Sequence, residues 1–154
     1  MQRVVGLMVL GVCICLAAGC GGSSGARGYL YRYGNGEAFI QWEQHGHHVH
    51  GTISDTQSCC VRGPARLNGG TLTVNGRIAG SNVLLHVSNG GRWWRGTLHP
   101  YGLLMSNGVP GEVGVRYQRA SVADYNAAVA QTKAAVERMK KRQAAERATT
   151  SAGP

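Results

Sequence analysis

The fold is decided by residues 74–85, VNGRIAGSNVLL, whose layout returns in residues 94–105, WRGTLHPYGLLM. A third, shorter copy lies at residues 49–53, VHGTI. In each copy, an apolar residue stands two positions before and two positions after a glycine. Because side chains alternate between the two faces of a strand, these three residues share one face. The glycine is therefore predicted to lie under a large side chain from a neighbouring strand.

Turn signals separate short apolar runs on both sides of this repeat. They are Gly34-Asn35-Gly36, His45-Gly46-His47, Asn68-Gly69-Gly70, Gly80-Ser81-Asn82, Asn89-Gly90-Gly91 and Ser106-Asn107-Gly108. Glycine and asparagine accept the positive φ angles that tight hairpins require. We therefore predict a mainly β domain over residues 28–119, an antiparallel meander that forms a curved sheet or a small barrel. The sequence does not choose between these two forms.

The alternation also predicts which side chains face the core. The predicted core residues are Ile40, Trp42, Val49, Ile53, Leu72, Val74, Ile78, Trp94, Leu98, Val113, Val115 and Tyr117.

One C-terminal amphipathic α-helix is predicted over residues 121–148. Ser121 is a typical N-cap, and the Asp124 carboxylate three residues later completes a motif close to a capping box. An apolar stripe then recurs at steps of three and four, through Val122, Tyr125, Val129, Thr132, Val136 and Met139. Such a stripe is typical of a helix packed on one face. We expect the charged second half, from Glu137, to project into solvent and residues 149–154 to form a disordered tail.

The first 19 residues have the layout of a lipoprotein signal peptide. Arg3 precedes an uncharged segment, Val4 to Ala18, that is shorter than the about 20 apolar residues of a membrane-spanning helix. The end of the segment, Leu16 to Cys20, resembles a bacterial lipobox, in which the cysteine is diacylated. We therefore predict lipidation at Cys20, with plain secretion and an uncleaved anchor as the alternatives. A flexible Gly/Ser tether is predicted over residues 20–27.

The charge balance is basic. The whole chain carries a formal net charge of +9, and +8 remains without the first 19 residues, which contain Arg3. Solubility is the simplest explanation, and attraction to anionic lipid head groups or acidic wall polymers explains the charge equally well. The predicted partners are the cell membrane, through the lipid on Cys20, and a cell-wall or membrane protein. No nucleic-acid partner is predicted for a protein tethered outside the cytoplasm.

A histidine-rich hairpin is the candidate metal site. If Gly46 and His47 form a two-residue turn, His45 faces His48 and Glu43 faces His50 across the strand pair. The same register brings Ile40 against Ile53 and Trp42 over Gly51, on the core side, which agrees with the alternation. Opposite side chains have Cβ atoms about 4.5–5.5 Å apart, so Glu43, His45, His48 and His50 would share an outer patch. Imidazole suits Cu, Zn and Ni; the alternative is that these are ordinary polar side chains on a solvent-exposed face.

Beyond the histidine-rich hairpin, the sequence contains few candidates for reactive or catalytic residues. Cys59 and Cys60 are adjacent, so their side chains point to opposite faces of a strand. A strained vicinal disulfide, bridges to another chain and buried thiols are all open for this pair. The acidic side chains form no evident acid–base pair, and no Walker-type loop is present. A Gly-x-Ser-x-Gly string occurs at Gly21 to Gly25, but it lies in the predicted Gly/Ser tether and not at the strand-to-helix turn of a hydrolase elbow. We therefore predict no enzyme and no catalytic residue.

Several motifs carry a resemblance to a known family. They are Tyr29-Leu30-Tyr31, Phe39-Ile40-Gln41-Trp42, the Gly-x-x-Val-x-Gly-Thr hairpin at Gly46 to Thr52, and Ser121-x-x-x-Tyr125-Asn126. Together they resemble a family of small, uncharacterised exported lipoproteins of high-GC Gram-positive (actinobacterial) bacteria. The resemblance implies a β domain and a closing helix behind a lipobox, and it supplies no catalytic residue. The expected function is a membrane-anchored, non-enzymatic binding or scaffolding module, with metal handling through the histidine hairpin as the alternative.

Overall fold

The computed structural model describes residues 26–59, 63–88, 91–106 and 114–151. These residues form eight β-strands and one α-helix. The strands are β1 (Arg27–Tyr33), β2 (Gly36–His45), β3 (His48–Cys59), β4 (Arg66–Ala79), β5 (Asn82–Val87), β6 (Arg92–His99), β7 (Gly102–Ser106) and β8 (Val115–Arg119), and the helix is α1 (Val122–Ser151). The predicted signal peptide, the lipidation site Cys20, Cys60 and Val113 lie outside the described residues.

The sheet is a closed barrel in which each strand pairs with the next along the chain, antiparallel throughout. Closure is made by β1 and β8, with Tyr29 opposite Arg119 and Leu30 opposite Gln118. A closed barrel leaves no unpaired strand edge, so it removes the surface on which open sheets associate. The choice that the sequence left open between a curved sheet and a barrel is therefore settled in favour of the barrel.

The predicted register of the β2–β3 hairpin is confirmed. His45 pairs with His48, Glu43 with His50, Gln41 with Thr52, Trp42 with Gly51 and Ile40 with Ile53. Gly46 has a φ of 60°, in the left-handed region that a two-residue hairpin turn requires of its first residue. Turn chemistry and hydrophobic alternation agree here, so the hairpin has one register.

One predicted turn is wrong. Asn68, Gly69 and Gly70 lie inside β4, where they continue the pairing with β3 opposite Gln57, Thr56 and Asp55. The glycines adopt an extended conformation there because the long neighbouring strand supplies hydrogen bonds throughout.

The inner face of the barrel holds the core. Every predicted core residue that the structure describes is either buried or packed against the buried cluster, with Leu72, Trp94, Leu98 and Val115 only partly covered. The core also takes residues that the sequence analysis did not select, namely Tyr29, Ala38, Val83, Leu85, Val87, Leu103 and Met105. These come mainly from β1, β5 and β7, which are short strands with little alternation of their own.

The repeat glycines lie where the sequence predicted. Gly51 is opposite Trp42, Gly76 is opposite Leu85, and Gly96 is opposite Met105. At Gly76, an added Cβ would lie 2.9 Å from Leu85 Cδ2, and at Gly96 it would overlap Met105 Sδ. Large side chains of one strand therefore occupy the space left by the glycines of the next.

The helix begins with the predicted capping motif. The backbone N–H of Asp124 donates to Ser121 Oγ at 3.2 Å, and the Asp124 carboxylate accepts from the Ser121 N–H at 2.8 Å. Hydrogen bonds from the Ser121 backbone and hydroxyl lower the pKa of Asp124. Two backbone N–H groups at the start of the helix are thus satisfied.

The helix packs outside the barrel, on β2 and β3. The ring of Tyr125 stacks on that of Phe39, with centroids 5.0 Å apart. The hydroxyl groups of Tyr125 and Thr56 share a 3.0 Å hydrogen bond. Two turns further along the helix, Thr132 Oγ1 donates a hydrogen bond to Glu37 Oε2 at 2.8 Å. The predicted stripe is the packing face except at its first residue, since Val122 is half exposed.

The second half of the helix differs from the prediction in two ways. Gln143 binds the segment before β4, donating to the Gly63 carbonyl at 3.0 Å and accepting from the Ala65 N–H at 3.1 Å. Most other side chains of this half are exposed, as expected. The helix also continues to Ser151, so residues 149–151 are helical and not part of a disordered tail. The hydroxyls of Thr149 and Thr150 donate to carbonyls of the preceding turn. No helix in the described ranges is long and apolar enough to span a membrane.

Candidate functional site

The histidine hairpin lies on the outer face of β2 and β3. Glu43, His45, His48 and His50 are all exposed there, paired across the strands as predicted. His45 Nε2 lies 3.9 Å from Glu43 Oε2. The ring of His50 turns towards β4, where its Nδ1 donates to Asn75 Oδ1 at 2.7 Å.

The four side chains do not converge on one point. No three His, Cys, Asp or Glu side chains in the described part of the chain are grouped so that they could hold a metal ion. The outer surface of a twisted, closed sheet is convex, so side chains on neighbouring strands diverge. The hairpin therefore presents two separate contacts, His45 with Glu43 and His50 with Asn75. A metal site formed by Glu43, His45, His48 and His50 together stays a prediction.

Cys59 is disulfide-bonded at the end of β3. A buried free thiol, one of the states left open by the sequence, is excluded for this cysteine. The bond also removes Cys59 as a nucleophile, because only a thiolate can attack.

A second feature of the outer surface lies beside the hairpin, on β4, β5 and β6. The pairing places His48, Arg77, Leu84 and Arg95 in one row across four strands. The next row carries His50, Asn75, His86 and Trp93. We call the outward side chains of these two rows the basic face: His48, His50, Asn75, Arg77, Leu84, His86, Trp93 and Arg95.

The part of the basic face on β4, β5 and β6 has no carboxylate; the carboxylate at its edge is Glu43 of β2, opposite His50. Strands β4 to β8 contain no aspartate or glutamate, while they carry six arginines. The ion pairs formed between described residues are His45–Glu43 and Lys140–Glu137, neither of which involves Arg77 or Arg95. Neither guanidinium group has an ion-pair partner among the described residues, so both can contact an external partner. A groove of about 720 Å³ runs between them, lined by His47, His48, Arg77, Leu84 and Arg95 among others.

An exposed tryptophan stands at one end of this face. Trp93 is 53% exposed and packs against His86 with ring centroids 4.9 Å apart. Trp42, in contrast, is 1% exposed. A large aromatic side chain left in water beside arginines is typical of a binding surface, because it supplies apolar contact area and an N–H donor together.

The basic face was not predicted from the sequence, although the sequence contains a signal for it. No acidic residue occurs between Asp55 and Glu112. The net charge alone indicated only a basic protein, whereas the length of the acid-free run would have located the positive side of the barrel.

Comparison of the chain with protein families, with curated proteins and with solved structures gave no match. The resemblance to exported lipoproteins therefore stays a prediction.

Proposed function

We propose that the protein is a membrane-anchored, extracytoplasmic, non-enzymatic binding module whose basic face contacts the anionic head groups of the membrane that carries it. The leader and the lipobox ending at Cys20 support the location. The observation that carries the proposal is the acid-free outer surface of β4 to β6, where Arg77 and Arg95 flank a groove beside exposed Trp93.

The predicted tether explains why the membrane is the favoured partner. Residues 20–27 reach at most about 25 Å when fully extended. A barrel held within that distance meets head groups at a high effective concentration. Each basic residue near an anionic membrane surface contributes about 1 kcal/mol, and tryptophan is enriched at membrane interfaces. Arg77, Arg95 and Trp93 together match that chemistry.

The test measures how far lipid shields Trp93. The full chain is placed in nanodiscs of neutral lipid with increasing anionic phospholipid, and its fluorescence is quenched with acrylamide, an uncharged quencher. All proteins in this test carry Trp94→Phe, because Trp94 is only partly buried. Trp42 is buried and responds little, so quenching then reports chiefly on Trp93. Anionic lipid is expected to reduce the quenching. In the Arg77→Gln/Arg95→Gln variant, half-protection should need roughly 30-fold more anionic lipid, which corresponds to about 1 kcal/mol for each charge.

The matched control removes the same charge elsewhere. Arg138→Gln/Arg142→Gln changes two exposed arginines of the helix and should leave the protection of Trp93 almost unchanged. Equal loss in the two double variants would mean that net charge alone drives the contact, and the basic face would then have no specific role.

The second candidate function is metal handling by the histidine hairpin. One observation favours it: the hydrogen bond from His50 Nδ1 to Asn75 Oδ1 fixes the ring and leaves Nε2 available. Metal-binding histidines commonly donate their second ring nitrogen in this way.

The experiment is a competitive titration of the full chain, without an affinity tag, against Cu, Zn and Ni. If Glu43, His45, His48 and His50 act together, a saturable one-to-one site should appear. The triple variant His45→Asn/His48→Asn/His50→Asn should then lose affinity by at least about 100-fold, since each imidazole ligand contributes separately. Weak, unsaturable uptake that is equal in both proteins would contradict a metal function.

A further inference from the structure

Among the described residues, the inner face of the barrel carries one carboxylate, at the end where β1 meets β2. Asp55 of β3 pairs with Ala38 on one side and with Gly70 on the other, in line with the core residues Ile53 and Leu72. Tyr33 Oη donates a 2.5 Å hydrogen bond to Asp55 Oδ1. No ion pair between described residues includes Asp55. A single negative charge therefore faces the barrel interior without a cationic partner in the described ranges.

A cluster of three tyrosine rings adjoins this carboxylate through Tyr33, whose ring stacks on that of Tyr31. Tyr31 lies 5.6 Å, between ring centroids, from both Tyr33 and Tyr117. Burial, followed by the charge of Asp55 and by Tyr31, raises the pKa of Tyr117 to about 12. Burial and the hydrogen bond to Asp55 likewise raise the pKa of Tyr33. The phenols of Tyr33 and Tyr117 are therefore neutral at physiological pH. We call Tyr31, Tyr33, Asp55 and Tyr117 the barrel mouth.

Open space adjoins the barrel mouth. Gly70 lies on the inward-facing side of β4, directly opposite Asp55, and a Cβ added there would meet no described atom within 4 Å. On the same face of the same strand, a Cβ at Gly76 would lie 2.9 Å from Leu85 Cδ2. In the described part of the barrel, side chains fill the space at Gly76, whereas the exposed Gly70 leaves space beside Asp55.

Polar groups also face the interior below the barrel mouth. Tyr29 Oη and Trp42 Nε1 have no hydrogen-bond partner among the described residues, although both side chains are only 1% exposed. Buried polar atoms are paired in the great majority of cases. These two are next to each other, with ring centroids 5.0 Å apart, and Tyr29 precedes Tyr31 on the same face of β1. A carboxylate without a described cationic partner and buried donors without described acceptors are the kind of polar groups that orient a ligand in a binding site.

We infer that the barrel mouth binds a small organic cation through its ammonium group, which the Asp55 carboxylate and the faces of Tyr31, Tyr33 and Tyr117 would hold together. Aromatic rings attract cations through their quadrupole, and rings beside a carboxylate suit quaternary or methylated ammonium groups in particular. This site is inside the barrel, so it is separate from the basic face and of opposite charge. It would give the tethered module a soluble ligand in addition to its membrane contact.

The test is calorimetric titration of the full chain, kept in a non-ionic detergent without phospholipid, with choline as the probe. The control ligand is 3,3-dimethylbutan-1-ol, which has the shape of choline without its charge. Choline should bind, and the neutral alcohol should bind at least about tenfold more weakly, because the charge supplies the cation–π and carboxylate attraction.

Three variants distinguish this site from general charge effects. Asp55→Asn keeps a hydrogen-bonding group for Tyr33 and should lower choline affinity at least about tenfold, whereas Asp124→Asn, which removes an exposed carboxylate on the helix, should leave it unchanged. Gly70→Val fills the space beside Asp55 and should abolish binding without loss of stability, so it decides the question if Asp55→Asn fails to fold. Equal binding of choline and the alcohol, or choline affinity unchanged in Asp55→Asn or Gly70→Val, would overturn the inference. The experiment contains no anionic lipid, so it is independent of the proposed membrane contact.

Discussion

Replacement of Trp42 by alanine is expected to lower the free energy of unfolding by about 3–5 kcal/mol, the range found when a buried aromatic side chain is removed from a core. Trp42 is 1% exposed, lies opposite Gly51 and packs on the ring of Tyr29. Gly51 has no side chain that could fill the cavity left by the removed indole. Domains of this size are stable by about 5–15 kcal/mol in total, so this one substitution removes a large fraction of the stability.

The measurement is denaturant unfolding of the full chain in a non-ionic detergent, followed by far-ultraviolet circular dichroism. Circular dichroism is preferred because the substitution removes a fluorophore. Trp93→Ala is the matched control: it removes the same side chain from a half-exposed position and should change stability by less than about 0.5 kcal/mol. Similar losses for the two variants would contradict the assignment of Trp42 to the inside of the barrel.

Replacement of Gly51 by alanine is expected to destabilise the barrel by about 3 kcal/mol, the upper part of the range for overpacked cores. A Cβ at this position would overlap the carbonyl oxygen of Gln41 and lie 2.6 Å from Trp42 Cα. Both are backbone atoms of β2, so the clash cannot be relieved by rotating a side chain. Glycine kinks of this kind let strands coil tightly enough to close a barrel.

Gly70→Ala provides the comparison for this second prediction. Gly70 is also an extended, inward-facing glycine, but it has no described atom within 4 Å of an added Cβ. Alanine there should be neutral or stabilising by about 0.4–1 kcal/mol, because it reduces the entropy of the unfolded chain. Thermal unfolding of both variants gives the answer. If the Gly51→Ala variant is as stable as the Gly70→Ala variant, the result contradicts a close contact between the β2 backbone and Gly51 of β3.

The β2–β3 hairpin shows how much of the fold local sequence can predict. The pairing of Glu43 with His50 and of Ile40 with Ile53 followed from one turn and one alternation pattern, which agreed with each other. A shift by a single residue would have turned the apolar face outward, so only one register was consistent with burial. The capping pair Ser121 and Asp124 was predictable for a similar reason, since all its contacts lie within four residues.

The candidate sites were less predictable, because they depend on contacts between distant strands. The hairpin histidines were correctly paired, yet the sequence did not indicate that His50 would turn away to Asn75 on β4. The basic face requires β4, β5 and β6 to lie side by side with Arg77 and Arg95 in one row. The alternation of apolar and polar residues within a strand determines which face of the sheet a side chain lies on. It does not determine which residues of other strands lie beside that side chain.

The sequence by itself determined the all-β meander, the hairpin register, the positions of the repeat glycines and the start of the helix. These features depend on the two-residue period of strands and on turn and capping chemistry, which act over a few residues. Only the tertiary structure decided that β1 and β8 close the barrel, and closure is what brings Tyr31 of β1, Asp55 of β3 and Tyr117 of β8 to one end of its interior. The physical reason is that closure depends on the accumulated twist and stagger of all eight strands, which no single segment of the chain encodes.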